Sequence, residues 1–203
     1  MLRHFAPSLV RLPGSRIRGL HARLPAMEAS LVLTVIGLDR PGLVELLSDT
    51  AHRHGANWEA SRMTRLGGRF AGLLLVRVDG ERAGALTRDF EALSRVGLKV
   101  VVEPSVEGEP HESWQRLRLE LLGTDRPGIV QKVSAILSHR GVNVEDIATE
   151  RTSAPMAGGD VFKVSALIAC PPQLSTDELR RALEQAANDL MVDITLAAPE
   201  ERL

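Results

Sequence analysis

Apolar residues alternate with polar ones through Leu31, Leu33 and Val35, and the same alternation returns at Leu117, Leu119 and Leu121. A period of two is that of a β-strand with one buried face. Past Pro41 and Pro127 the period lengthens. Leu43, Val44, Leu47 and Ala51, and later Ile129, Val130, Val133, Ile136 and Leu137, recur at helical spacing with polar residues between them. A proline in the first turn and a glycine at the far end, Gly55 or Gly141, frame each helix. Two strands are predicted next, joined by a hairpin turn at Gly67-Gly68 in the first series and by a longer one through Pro155 to Gly159 in the second. A second amphipathic helix carries Leu86, Phe90 and Leu93, matched later by Leu179, Leu183, Ala186 and Leu190. Strands Leu98 to Val102 and Met191 to Leu196 end the two series, so the predicted order is βαββαβ, twice.

The two series are copies of one another. At an offset of 86, residues 31 to 59 lie over 117 to 145 without a gap and agree at 12 of 29 positions. Ser48 meets Ser134, Gly55 meets Gly141, Asn57 meets Asn143 and Glu59 meets Glu145. Chance does not produce such agreement. Phe70 and Phe162 are 92 apart, so the second hairpin holds 92 − 86 = 6 extra residues. The predicted fold class is α+β: two tandem ferredoxin-like units, each an antiparallel sheet with both helices on one face. The expected organisation is a leader over 1–27, a first domain over 28–105, a linker over 106–114 and a second domain over 115–200.

Charge narrows the classes of partner. Of the 25 basic residues, five arginines (Arg3, Arg11, Arg16, Arg18, Arg23) fall in the first 26 positions, which hold no acid, so the rest carries 20 − 26 = −6. Interleaved charge of this sign does not suit a phosphate backbone, and with four Phe, two Trp and no Tyr there is little to stack on bases. No direct nucleic-acid contact is expected. The apolar runs are too short to span a bilayer, and no membrane association is expected. The single cysteine, Cys170, fits a reducing compartment, and the expected location is the cytoplasm. The leader has three readings: an organelle transit peptide, a flexible basic tail, or sequence ahead of a true start at Met27. The last is preferred, because the patterned sequence begins just after Met27.

The strand-to-helix turns Asp39-Arg40-Pro41-Gly42 and Asp125-Arg126-Pro127-Gly128 are identical. One reading is structural: Asp accepts hydrogen bonds from the first free helix amides, Pro fits the first turn and Gly allows tight geometry. The other uses the same physics for a ligand, because free amides and the positive end of the helix dipole attract a carboxylate. Asp39 and Asp125 would then meet an ammonium group. Asn57 and Asn143 follow the helix-ending glycines, where an amide can donate to a carboxylate and accept from an ammonium; their structural reading is a strand-start residue.

The Asp-Arg-Pro-Gly-apolar-Val turn followed by Gly-x-Asn, present in both halves, resembles the ACT domain, a small βαββαβ regulatory module. The resemblance covers nearly all of residues 31 to 197 and implies an amino-acid site at Asp39, Arg40, Pro41, Gly42, Leu43 and Asn57 and again at Asp125, Arg126, Pro127, Gly128, Ile129 and Asn143. Two such modules in tandem, with Gly55 to Met63 and Leu66-Gly67 as they stand, are similar to the glycine cleavage system transcriptional repressor family; Trp58 and the basic leader depart from its pattern. That resemblance implies an accessory regulator that responds to a small amino acid, glycine first among them, and acts through a partner transcription factor. The alternative is a dissociable regulatory subunit of a metabolic enzyme, and a third reading is a ligand-free adaptor. Pairing of modules within the chain or between copies, which buries sheet edges, is also expected.

No catalytic residue, cofactor or metal is expected. His52 and His54, two apart, are read as helix residues on different faces, and Cys170 ahead of Pro171-Pro172 as a buried thiol without a histidine partner. Gly67-Gly68 and Gly158-Gly159 lack the spacing and the lysine of a phosphate loop, and the adjacent Glu145 and Asp146 diverge rather than flank a substrate.

Overall fold

The computed structural model describes residues 27–106, 113–154 and 159–199. The leader up to residue 26, most of the linker (107–112) and the tip of the second hairpin (155–158) lie outside the described residues. The chain divides into two compact units between Val106 and Glu107. In the first, β1 (Glu28–Leu38), α1 (Leu43–Arg53), β2 (Asn57–Leu66), β3 (Arg69–Asp79), α2 (Gly80–Ala92) and β4 (Leu98–Pro104) follow in order. The second repeats them as β5 (Gln115–Thr124), α3 (Ile129–His139), β6 (Asn143–Ala154), β7 (Gly159–Cys170), α4 (Thr176–Leu190) and β8 (Val192–Ala197). The sheets run β2-β3-β1-β4 and β6-β7-β5-β8, with every neighbouring pair antiparallel. This is the predicted ferredoxin-like βαββαβ order.

Alternation along β1 decides which face the helices cover. Leu31, Leu33 and Val35 are buried, whereas Thr34 between them and Ile36 after them are exposed. The buried set joins Leu43 and Leu47 of α1, Leu74 and Val76 of β3, and Leu86 and Phe90 of α2 in one core. Leu119, Leu121, Ile129, Val133, Ile168, Leu179 and Leu183 build the corresponding core of the second unit. Burying each such side chain stabilises the fold by roughly 1.5–3 kcal/mol before entropy is counted. Val44 and Val130, which the helical spacing placed in the apolar stripe, are 49% and 43% exposed. The turn of about 100° from Leu43 to Val44 carries the second side chain off the core face.

The two helices of each unit begin differently. Asp79 and Ser175 cap α2 and α4, accepting from the amides of Glu81 at 3.0 Å and Glu178 at 3.1 Å. The helices α1 and α3 begin at Gly42 and Gly128, both left-handed at φ 88° and 95°, with no side-chain cap. At their far ends Gly55 and Gly141 take φ 66° and 68°, the glycine termination expected from the sequence.

Candidate functional site

The strand-to-helix turns are exposed from Asp39 to Gly42 and from Asp125 to Gly128, whereas Leu43 and Ile129 are 3% and 2% exposed and belong to the cores. Those two residues can therefore offer a ligand their amides and not their side chains. The first helical bonds run from Leu46 N–H to Gly42 O and from Lys132 N–H to Gly128 O, each 2.9 Å. The amides of residues 43–45 and 129–131 precede them and point out of the helix N-terminus. Pro41 and Pro127 stand one residue before the glycine cap, in the turn itself, and not in the first helical turn as the sequence suggested.

The aspartates do not cap these helices. Asp39 instead receives Arg65 Nε of β2 at 2.7 Å, and Asp125 lies 3.6 Å from Arg151 Nε of β6. Arg151 is also held by Asp160, and the two carboxylates, Asp160 foremost, keep its guanidinium above its ordinary value. Asp39 N–H donates to Gly68 O and Asp125 N–H to Asp160 O, both at 3.1 Å, so each turn is tied to the adjoining hairpin. Arg65 and Arg151 escaped the sequence reading, although 65 + 86 = 151 marks them as repeat counterparts. Arg40 reaches the other way, donating from Nη2 to Val96 O at 3.1 Å, and Arg126 Nη2 lies 3.8 Å from Met191 Sδ.

Each turn thus presents three free amides at a helix N-terminus, next to a carboxylate that already has a cationic partner. The balance favours an anion. An ammonium would have to share Asp39 with Arg65, or Asp125 with Arg151.

Asn57 and Asn143 are exposed and open β2 and β6, as the structural reading expected. The structure does not bring them to the turn of their own unit. Asn57 lies at the opposite end of α1 from Gly42, and eight residues along β2 from Arg65, roughly 25 Å at the rise of a strand. The repeated Glu59 and Glu145 fall where the register of β2 and β6 shifts by one residue. There they pair with Arg77 at 2.7 Å and Arg116 at 2.9 Å.

His54 is not a helix residue: α1 ends at Arg53, and His54 Nε2 sits 2.8 Å from Asp89 Oδ2 of α2. Cys170 is 2% exposed, and burial pushes its thiol up. Among the described residues no three His, Cys, Asp or Glu gather as a metal site, and no helix is long and apolar enough to cross a membrane.

Fold and turn together define a class of small βαββαβ modules whose first helix opens at a left-handed glycine. Profiles of the ACT domain match residues 29–103 and 117–187. A UPF0237 protein of Methanopyrus kandleri is 31% identical over 80 residues, 39% of this chain and 82% of that protein. The crystal structure of an unknown protein from Galdieria sulphuraria, 30% identical, superposes with a TM-score of 0.76 over 86% of this chain and 100% of that one. A candidate glycine cleavage system transcriptional repressor shares the fold at 17% identity and a TM-score of 0.61, over 84% of this chain and 97% of its own. The chain belongs to the ACT domain family and carries two such domains in tandem. Membership points to amino-acid-sensing regulation.

Proposed function

We propose that this protein is a non-enzymatic, amino-acid-responsive regulator, in which the turns 39–43 and 125–129 receive the carboxylate of a small amino acid. Glycine is the first ligand to test. The observation that carries the reading is the repeated turn: Gly42 and Gly128, both left-handed, open a helix with three free amides in each unit, and Arg40 or Arg126 belongs to the same exposed turn. The regulator acts through a partner protein, in the manner of an accessory transcriptional regulator of the glycine cleavage type. A ligand that binds one conformation tenfold more tightly than another shifts the equilibrium by about 1.4 kcal/mol, enough to change partner affinity without chemistry.

Isothermal titration of the full chain against glycine and the other amino acids tests the reading. Saturable binding that weakens in Arg40→Ala and Arg126→Ala, with melting unchanged, is the expected result; no binding of any amino acid overturns it. An affinity pull-down in the presence of the bound amino acid then separates a transcription factor from a metabolic enzyme as partner.

A further inference from the structure

The face of each sheet turned away from its helices differs between the two units. In the first, Val32 and Ile36 of β1, Ala71, Leu73 and Leu75 of β3 and Val101 of β4 lie on that face, because the residues that alternate with them, Leu33, Val35, Leu74 and Val100 among them, are buried in the core. Register joins them into one apolar field: Val32 stands opposite Leu75, Ile36 opposite Ala71, and Thr34, between the two on β1, opposite both Leu73 and Val101. Ile36, Leu73 and Val101 are 45%, 52% and 43% exposed. In the second unit the same places in the register are polar: Arg118 stands for Val32, Glu120 for Thr34, Ser165 for Leu73 and Thr195 for Val101. Arg118 Nη1 donates to Ser165 Oγ at 3.3 Å, and Ser165 Oγ donates to Glu120 Oε1 at 3.4 Å. The fold therefore does not need apolar residues on this face, and a continuous field of them marks an interaction surface.

Cations border the field. Arg62 lies opposite Leu73, Arg69 opposite Leu38 and Lys99 opposite Ile36, all on the outer face, since Met63, Phe70 and Val100 beside them pack into or against the core. These three are exposed and enter no ion pair among the described residues, whereas Arg77 is held by Glu59 at 2.7 Å. Glu103, opposite Val32, is the acid that stands against them. Two copies of this face would bring 2 × 3 = 6 such cations together with 2 × 1 = 2 of these carboxylates, so the charge disfavours a second copy and favours an acidic partner. Three strands about 4.8 Å apart and four steps of about 3.4 Å along them span roughly 10 by 14 Å. That is the footprint of one helix about 10 Å across and between two and three turns long.

We infer that the outer face of the first sheet receives an amphipathic helix of the partner protein, its apolar stripe on Ile36, Leu73 and Val101 and its acidic flanks beside Arg62, Arg69 and Lys99. The inference rests on the reading that the protein acts through a partner, and adds the surface and the chemistry of that partner to it. Removing exposed apolar side chains from water supplies the affinity. The cations select among helices, because a basic flank would meet them as like charges. The second unit, with Arg118 and Glu120 satisfied through Ser165, offers no such field.

The test is isothermal titration and methyl NMR of the full chain with two synthetic helical peptides that share one leucine stripe, the first flanked by glutamate and the second by lysine. The glutamate peptide should bind at least about tenfold more tightly, by a margin that narrows as salt is raised, and should shift the methyl signals of Ile36, Leu73 and Val101. Leu73→Ser and Lys99→Asp copy what the second unit holds at those places, Ser165 and Asp193, and each should weaken that binding in a chain that melts as a folded protein. The methyl map of the unsubstituted chain stands even where a variant fails to fold. Equal affinity for the two peptides, shifts confined to other residues, or no binding of either overturns the inference. So does sedimentation showing that the chain without peptide dimerises and that Leu73→Ser abolishes the dimer. Each of these outcomes leaves the amino-acid reading to its own titration, and failure of that titration while the glutamate peptide binds at Ile36, Leu73 and Val101 overturns the amino-acid reading alone.

Discussion

Arg65 donates from Nε to the carboxylate of Asp39 at 2.7 Å, joining the outermost strand of the first sheet to the turn that begins α1, and Arg151 faces Asp125 in the same way at 3.6 Å. Arg65 is 71% exposed, so water screens the pair. A double-mutant cycle with Asp39→Ala and Arg65→Ala, read by urea unfolding, should give a coupling of about 0.2–1 kcal/mol. Asp125 and Arg151 should couple less, because Arg151 is shared with Asp160. A coupling above about 2 kcal/mol in either pair would contradict a solvent-screened clasp.

Two kinds of glycine flank the turns, and they should fail differently. Gly42 and Gly128 have positive φ, and a Cβ on Gly128 would meet nothing within 4 Å, so backbone conformation alone requires glycine there. Gly128→Ala should cost roughly 1–2 kcal/mol, and Gly128→Asn less, because asparagine tolerates the left-handed region. At Gly123 a Cβ would come within 2.5 Å of Val192 Cγ1, and at Gly37 within 2.9 Å of Gly97 O. Gly123→Ala and Gly37→Ala should lose about 1–3 kcal/mol to overpacking, and asparagine should rescue neither. Urea midpoints of the three alanine variants and their asparagine counterparts check the distinction.

The contact between His54 and Asp89 predicts an acid-side effect. A carboxylate only accepts, so the ring donates, and that hydrogen bond, together with the charges of His54, Arg53 and Arg88, holds the Asp89 carboxyl below its ordinary value. A depressed carboxylate contributes stability that is present above the unfolded value of about 3.9 and is lost as pH falls through the lower folded value. His54→Ala should raise the Asp89 value toward the ordinary one and flatten the acid limb of the melting curve. An Asp89 carbon shift that titrates identically in both proteins would contradict the assignment.

The one-sided sheets give a contrast within a single unit. Phe90 is fully buried between α2 and the sheet, whereas Ile36 on the outer face is 45% exposed. Phe90→Ala should cost about 3–5 kcal/mol and Ile36→Ala about 0.5 kcal/mol or less in chemical unfolding. Similar losses at the two positions would show that something covers the outer face.

The fold was legible in the sequence because its signals are local. The period of two in Leu31, Leu33 and Val35 assigns a strand face, the helical spacing after Gly42 and Gly128 assigns two helices, and Gly55 and Gly141 end them by a conformation that other residues resist. The offset of 86 then required two units of one kind. The assignment of Asp39 and Asp125 could not be settled that way. An aspartate before a helix is the right residue for a cap, and only the folded chain brings Arg65 and Arg151 to claim it. The distance between Asn57 and the turn depends on the whole length of α1 and β2. Sequence by itself therefore determined the repeat, the order of elements and the glycine-capped turns, since each follows from backbone preference and solvent exclusion along one stretch of chain. Tertiary structure alone decided which charges pair and how far Asn57 stands from the turn, because those outcomes need distant stretches of chain to meet or to part.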